Sequence, residues 1–262
     1  MMSNKLEQVR IDYVKRKRND LDYNLEEVLS RFKNIQVSWS GGKCSTVALH
    51  LIRQIKPDIQ VFYVNTGVAY PETVKYVLQM AKEWHLNFRM IKPHTTFWKI
   101  IAKHGLPKRR HMGCEKAMKG EPPVPVCCKL LKEKPLKYFL KIYHVDLNIT
   151  GLRCAESRVR MFNIAQRGLL YYTKAYATTT FHPIALWTYQ QVADYIQEHN
   201  IPLNPVYAKG LKREGCWCCT AFRGWQQSLM LYNPRMYKFM MKLAGNPTMD
   251  EYIEDFEPVT PM

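Results

Sequence analysis

The chain has 262 residues, with 39 Lys and Arg against 22 Asp and Glu, a formal net charge of +17, and 47% hydrophobic residues. That length suits one large α/β domain with a small appendage, and so much apolar side chain excludes a wholly disordered chain. No apolar run approaches the roughly 18 residues of a bilayer span, and the polar opening MMSNKLEQVRIDYVKRKRND has no signal-peptide core, so a cytoplasmic location with no membrane partner is expected.

Residues 1–33 predict one or two basic helices whose sparse apolar positions, Val9, Tyr13, Leu25, Val28 and Leu29, pack them on the main domain as an appendage. From Ile35 short apolar runs alternate with amphipathic stretches. Ile35–Trp39, Ile59–Asn65, Phe88–Ile91, Leu147–Gly151 and Phe181–Ala185 are strand candidates. Between them, Val47, Ala48, Leu51, Ile52 and Ile55 form one helical stripe, and Val74, Val77, Leu78, Ala81 and Trp84 another. A further helix begins at Thr188, which makes a capping box with Gln191. The alternation predicts an α/β fold over 34–225, a doubly wound, mostly parallel five-stranded sheet, with a C-terminal helical segment over 226–262. Ligands in such sheets bind beyond the carboxyl ends of the strands.

The first loop in that position is Ser38-Trp39-Ser40-Gly41-Gly42-Lys43-Cys44-Ser45-Thr46. Two glycines allow a tight turn and close backbone approach, and the N-terminus of the helix that follows favours an anion. Lys43 adds a point charge, and Ser40, Ser45 and Thr46 offer hydroxyl groups. The loop is not a Walker A motif, because the spacer between the first glycine and Gly-Lys is missing.

The run Ser40-Gly41-Gly42-Lys43-Cys44-Ser45 resembles the pyrophosphate loop of N-type ATP pyrophosphatases, and more specifically the phosphoadenosine phosphosulfate (PAPS) reductase superfamily. Further matches follow in order: Asn65-Thr66-Gly67, Tyr70-Pro71-Glu72-Thr73, Cys127-Cys128-Lys129, Gly151-Leu152-Arg153 with Glu156-Ser157 and Arg160, His182-Pro183-Ile184, Asn204-Pro205 and Gly215-Cys216-Trp217-Cys218-Cys219-Thr220. The resemblance spans about residues 35–225. It implies an adenine nucleotide alpha hydrolase-like fold, with ATP or an adenylyl sulfate held by Ser38, Ser40, Gly41, Gly42, Lys43, Ser45, Thr46, Gly151 and Arg153. Two features depart from the family. Cys44 stands where ATP-using relatives carry an Asp that helps hold magnesium, and no cysteine follows Cys219 to match the late nucleophile of assimilatory reductases.

Eight cysteines without an export signal point to thiol or metal chemistry rather than disulfides. Cys127 and Cys128 are adjacent, and Cys216 and Cys219 lie far downstream. A vicinal pair does not easily place both sulfurs on one tetrahedral zinc, whereas a cube of four irons gives each its own corner. Buried free thiols and zinc remain the other readings of these residues. The resemblance implies a [4Fe–4S] cluster on Cys127, Cys128, Cys216 and Cys219, the pattern of adenylylsulfate reductases, with Trp217 and Trp225 shielding it.

Lys43, Arg153, Arg160 and Cys154 are the candidate catalytic residues. Arg153, Arg158 and Arg160 suit capture of phosphate or sulfate oxygens, and would lower the pKa of Cys154; Cys154 or Cys44 is then a candidate sulfur carrier. His182 is expected in the fifth strand. Cys114 and Cys218 carry no assigned role. Three functions compete: ATP-dependent activation with sulfur transfer onto tRNA or DNA, sulfonucleotide reduction with release of sulfite, and a non-catalytic nucleotide- and cluster-binding module. Either enzyme would need a sulfur or electron donor protein. The charge excess, with clusters at Lys15–Arg18, Lys108–Arg110 and Lys209–Arg213, favours the nucleic-acid partner.

Overall fold

A computed structural model describes residues 2–107, 125–222 and 224–245. The elements in chain order are α1 (Met2–Lys17), α2 (Leu25–Ser30), β1 (Ile35–Ser38), α3 (Lys43–Ile55), β2 (Gln60–Val64), α4 (Pro71–Glu83), β3 (Asn87–Ile91) and α5 (Phe97–His104). There follow α6 (Val126–Cys128), a π-helical stretch Lys129–Glu133 and α7 (Lys134–Ile142), then β4 (Leu147–Thr150), α8 (Arg158–Arg167), β5 (Leu170–Thr173) and β6 (Thr178–Phe181). The chain continues through α9 (Tyr189–Glu198), α10 (Trp225–Tyr232) and α11 (Pro234–Leu243). Lys108–Arg110 and Cys114 lie outside the described residues.

The six strands form one sheet in the order β3-β2-β1-β4-β6-β5, parallel except for the β5–β6 pair. Val37 of β1 faces Val61 of β2 on one side and Ile149 of β4 on the other. Strand order therefore reverses across β1 and β4, which opens a crevice at their carboxyl ends. Apolar side chains explain the layers. Val37, Val61, Leu147 and Ile149 belong to a core that also takes in Ile11 and Val14 of α1 and Val77 and Met80 of α4, while Phe62 and Ile91 pack with Leu140 of α7 in a separate cluster. Val47 and Ala48 of α3 meet Val192 and Ile196 of α9 in a third cluster.

The sheet has one strand more than the sequence predicts. β5 and β6 form an antiparallel hairpin whose turn carries Ala177 at φ 51° rather than Gly or Asn, so the usual hairpin signal is missing. The last parallel strand is the threonine-rich Thr178–Phe181, not Phe181–Ala185, and Thr180 bonds across to Thr173 at 3.0 Å. His182 thus follows the strand.

α1 packs on α8 and on the turn at Cys154–Glu156, with Tyr13 edge-on to Phe162 at 5.6 Å. Ile11 and Val14 provide its buried face, whereas Val9 is exposed. The capping box at Thr188 and Gln191 is present. No described helix is long and apolar enough to cross a membrane.

Candidate functional site

The loop between β1 and α3 is shaped by its glycines. Gly41 adopts φ 76°, and a Cβ there would meet Val77 Cγ2 at 2.8 Å. Asn204, itself buried, donates from Nδ2 to the Gly41 carbonyl and to Thr73 Oγ1, both at 3.0 Å. Ser45 and Thr46 donate to the Gly42 carbonyl at 3.0 and 2.9 Å, and Thr46 Oγ1 also accepts from the Trp39 indole at 2.9 Å. These bonds fix the first turn of α3 in the interior. The Ser40 hydroxyl lies 2.9 Å from Ser45 Oγ, donates to the Glu214 carboxylate at 2.9 Å and accepts from the Gly42 N–H at 3.4 Å.

Beyond the ends of β1 and β2 lies a cavity of about 390 Å³, lined by Ser38, Ser40, Thr66, Arg160, Glu214 and Cys216 among others. That is within the range of small-molecule sites. A cleft of about 540 Å³ opens at the amino ends of the strands around Ile35, Gln60 and Asn87, on the wrong edge of the sheet for the loop.

Cys127, Cys128, Cys216 and Cys219 all line a second cavity of about 70 Å³, which shares Lys132, Arg213, Glu214, Gly215 and Cys216 with the first. Cys216 is held by a bridge to Ala69 and by the Trp217 N–H donating to Val68 O at 3.1 Å, and the Cys219 N–H returns to Cys216 O at 3.2 Å. Around them Phe97, Leu131, Leu229 and Met240 build a small core, onto which Trp217 and Trp225 pack. The hydrogen bond between the adjacent Cys127 and Cys128 thiols pushes Cys127 up and Cys128 down, with the Lys132 ammonium favouring a Cys128 thiolate. Burial pushes Cys218 and Cys219 up. Among the described residues no three His, Cys, Asp or Glu side chains converge closely enough to hold a single metal ion. Four thiols line this one cavity, soft donors of the kind that iron–sulfur clusters and zinc both take.

A family model, the phosphoadenosine phosphosulfate reductase domain, matches residues 34–222. The chain belongs to the PAPS reductase family. It is 29% identical over 207 residues to the phosphoadenosine 5'-phosphosulfate reductase of Xanthomonas axonopodis pv. citri, covering 78% of each chain. An uncharacterized protein of Methanocaldococcus jannaschii is 30% identical over 187 residues, 71% of this chain but 41% of that relative, so the chain spans about two-fifths of that archaeal protein. In fold it is similar to the Candida auris PAPS reductase solved as a phosphate complex, with TM-score 0.56, 21% identity, and coverage of 79% of this chain and 94% of that one. Candida glabrata FMN adenylyltransferase shares the fold more distantly, at TM-score 0.50 and 12% identity over 80% of this chain and 61% of that one.

Within this PAPS reductase-family fold several of the expected site residues line the two cavities, Cys216 lining both. Ser38, Ser40 and Arg160 line the larger cavity, and the four cysteines line the smaller. The others serve the loop from behind. Lys43 Nζ donates to Tyr189 OH at 2.7 Å and sits 4.4 Å from the centre of the Tyr207 ring. Gly151 lies beneath α3, where a Cβ would overlap the backbone of Cys44 and Ser45. Arg153 is 4% exposed; its Nη1 donates to the Trp187 carbonyl at 3.0 Å and to Glu7 at 3.4 Å, and its Nε to Cys44 Sγ at 3.3 Å.

Cys154 corrects the expectation that neighbouring arginines lower its pKa. It is fully buried in the main core, and loss of hydration pushes its thiol up to about 11, outweighing the opposing charge of Arg153. His182 is also buried. Burial, aided by the charge of Arg160, pushes it down to about 4, and its neutral ring links Thr150 Oγ1 at 2.7 Å to Tyr171 OH at 3.0 Å.

Sequence reasoning assigned no role to Glu7, Lys132, Tyr207 or Glu214. Glu7 of α1 accepts from the Tyr189 N–H at 2.9 Å as well as from Arg153, tying the N-terminal helix to the start of α9. The one signal for Glu214 is its place between Arg213 and Gly215, two residues before Cys216.

Proposed function

We propose that this chain is an enzyme of sulfur metabolism that binds an adenine nucleotide at the glycine loop, beside a [4Fe–4S] cluster carried by Cys127, Cys128, Cys216 and Cys219. The observation that supports this most is the wall shared by the two cavities, Lys132, Arg213, Glu214, Gly215 and Cys216. The preferred chemistry is ATP-dependent activation of an oxygen on tRNA or DNA, with sulfur transfer from a donor protein. The acceptor oxygen attacks the α-phosphorus and pyrophosphate leaves; the outer sulfur of a donor persulfide then displaces AMP, and a second thiol of the donor protein cleaves the resulting S–S bond, freeing the thiolated product as the donor is oxidised to a disulfide. In this scheme the backbone and hydroxyl groups at Ser40–Ser45 orient the phosphates, and Arg160, facing the cavity, offsets charge on the adenylate. When bound, the cluster would supply one-electron chemistry. The raised pKa of Cys154 and the engagement of Arg153 Nε and Nη1 count against a Cys154 thiolate as the nucleophile of sulfonucleotide reduction.

The second reading is reduction of an adenylyl sulfate with release of sulfite, favoured by the PAPS reductase of Xanthomonas axonopodis pv. citri at 29% identity. Magnesium would accompany ATP in the first reading. Anaerobically purified protein, incubated separately with ATP and with labelled adenylyl sulfates, tests both. The protein is expected to be brown and to release pyrophosphate in the presence of tRNA or DNA, with binding of those polymers falling steeply as salt rises, at a log–log slope of about −0.9 per duplex phosphate or −0.7 per single-strand phosphate. Sulfite release without pyrophosphate would select the reductase, and neither product would leave a binding module.

A further inference from the structure

The position of Glu214 has no counterpart in the scheme above. Its carboxylate is the acceptor for the Ser40 hydroxyl at 2.9 Å and for the Tyr207 hydroxyl at 3.1 Å. It also lies against Gly42, where an added Cβ would overlap it. Gly42 is the N-cap of the 13-residue helix α3 and has no side-chain cap of its own. A negative group from a segment 174 residues away in sequence to Ser40 therefore occupies the place where the loop and the helix terminus favour an anion.

Carboxylate and phosphate oxygens use the same donors and repel each other, so both cannot sit there. We propose that Glu214 is a specificity-determining residue of the loop: its carboxylate stands in for the anionic group of the nucleotide and must be displaced for that group to bind. The proposal rests on the reading that the loop holds an adenine nucleotide. The surroundings fit a side chain that moves. Gly210 at φ 80° and Gly215 at φ 151° flank the segment in backbone regions that favour glycine, and neither has a neighbour within 4 Å of an added Cβ. Lys132 and Arg213 line the same cavity and offer the displaced carboxylate other cations. Affinity for an anionic ligand is then the intrinsic affinity reduced by the fraction of time the seat is vacated. A neutral nucleoside, which never enters that seat, is unaffected.

The test is calorimetric titration of the full chain, without divalent cation, using ATP, adenosine 5'-phosphosulfate, inorganic pyrophosphate and adenosine as probes. Parent, Glu214→Gln and Glu214→Ala are compared, with thermal melts showing that each is folded. Both variants are expected to bind the three anions about tenfold tighter, equivalent to about 1.4 kcal/mol, with adenosine affinity unchanged. Equal or weaker anion binding by the variants, with a parent that binds nucleotide, would overturn the role of Glu214 and leave the nucleotide site standing. Tightening of adenosine by the same factor would also overturn it, because the effect would then be a general opening. If no form binds any nucleotide, the nucleotide reading itself falls.

Discussion

His182 makes stability depend on pH in a way that can be isolated. In the unfolded chain its imidazole takes a proton near pH 6.5; in the fold, burial beside Arg160 delays this to about 4. Above pH 6.5 the ring is neutral in both states and its contribution is complete. Between pH 6.5 and about 4 the unfolded state binds more protons, so stability falls as pH falls, and below about 4 the loss is complete. At about 1.4 kcal/mol per pH unit the full loss is about 3.5 kcal/mol, of which about 2.5 kcal/mol has appeared by pH 4.5. The assay is urea unfolding by linear extrapolation at pH 7.0 and pH 4.5, for the parent and for His182→Gln, which keeps a hydrogen-bonding group without the titration. The remaining titratable groups are the same in both proteins, so the parent should lose about 2.5 kcal/mol more than the variant. Equal losses, within about 0.5 kcal/mol, would refute the argument that a neutral ring is locked between Thr150 and Tyr171.

Asn204→Ala removes the donor to Gly41 and Thr73 and leaves buried acceptors unpaired, so unfolding free energy should drop by about 2 kcal/mol in denaturant titrations. Nucleotide affinity should fall with it, because the carbonyl of Gly41 loses its tether. Gly151→Ala places a methyl group into the backbone of Cys44 and Ser45, which has no flexible end to give way. A loss of about 1–3 kcal/mol is expected from the thermal melt; an unchanged melting temperature would show that α3 can shift without cost.

Local chemistry made much of this protein legible in its sequence. The strand–glycine–glycine–helix order at 35–55 defines the loop, because few residue types tolerate the left-handed turn at Gly41 or the close approach at Gly42. The capping residues at Thr188 and Gln191 and the apolar stripes of α3 and α4 carry period and hydrogen-bonding information within a few residues of each other. The ordered cysteines pointed to one place, and all four line one cavity. The hairpin at 170–181 escaped because its strand is threonine-rich and its turn lacks the common turn residues. Only the tertiary structure decided which charges are free. Arg153 and Arg160 read alike in sequence, yet Arg153 is buried against Glu7 from α1 and the Trp187 carbonyl, while Arg160, ion-paired with Glu156, lines the cavity. Cys154 reads as an activated thiol beside arginines, but burial, which depends on every element packed around it, reverses the direction of its pKa. Glu214 reaches the loop across most of the chain. Sequence determined the donors, turns and periodicities; solvent exclusion and long-range pairing, which are properties of the packed whole, determined which of those groups remain available to a ligand.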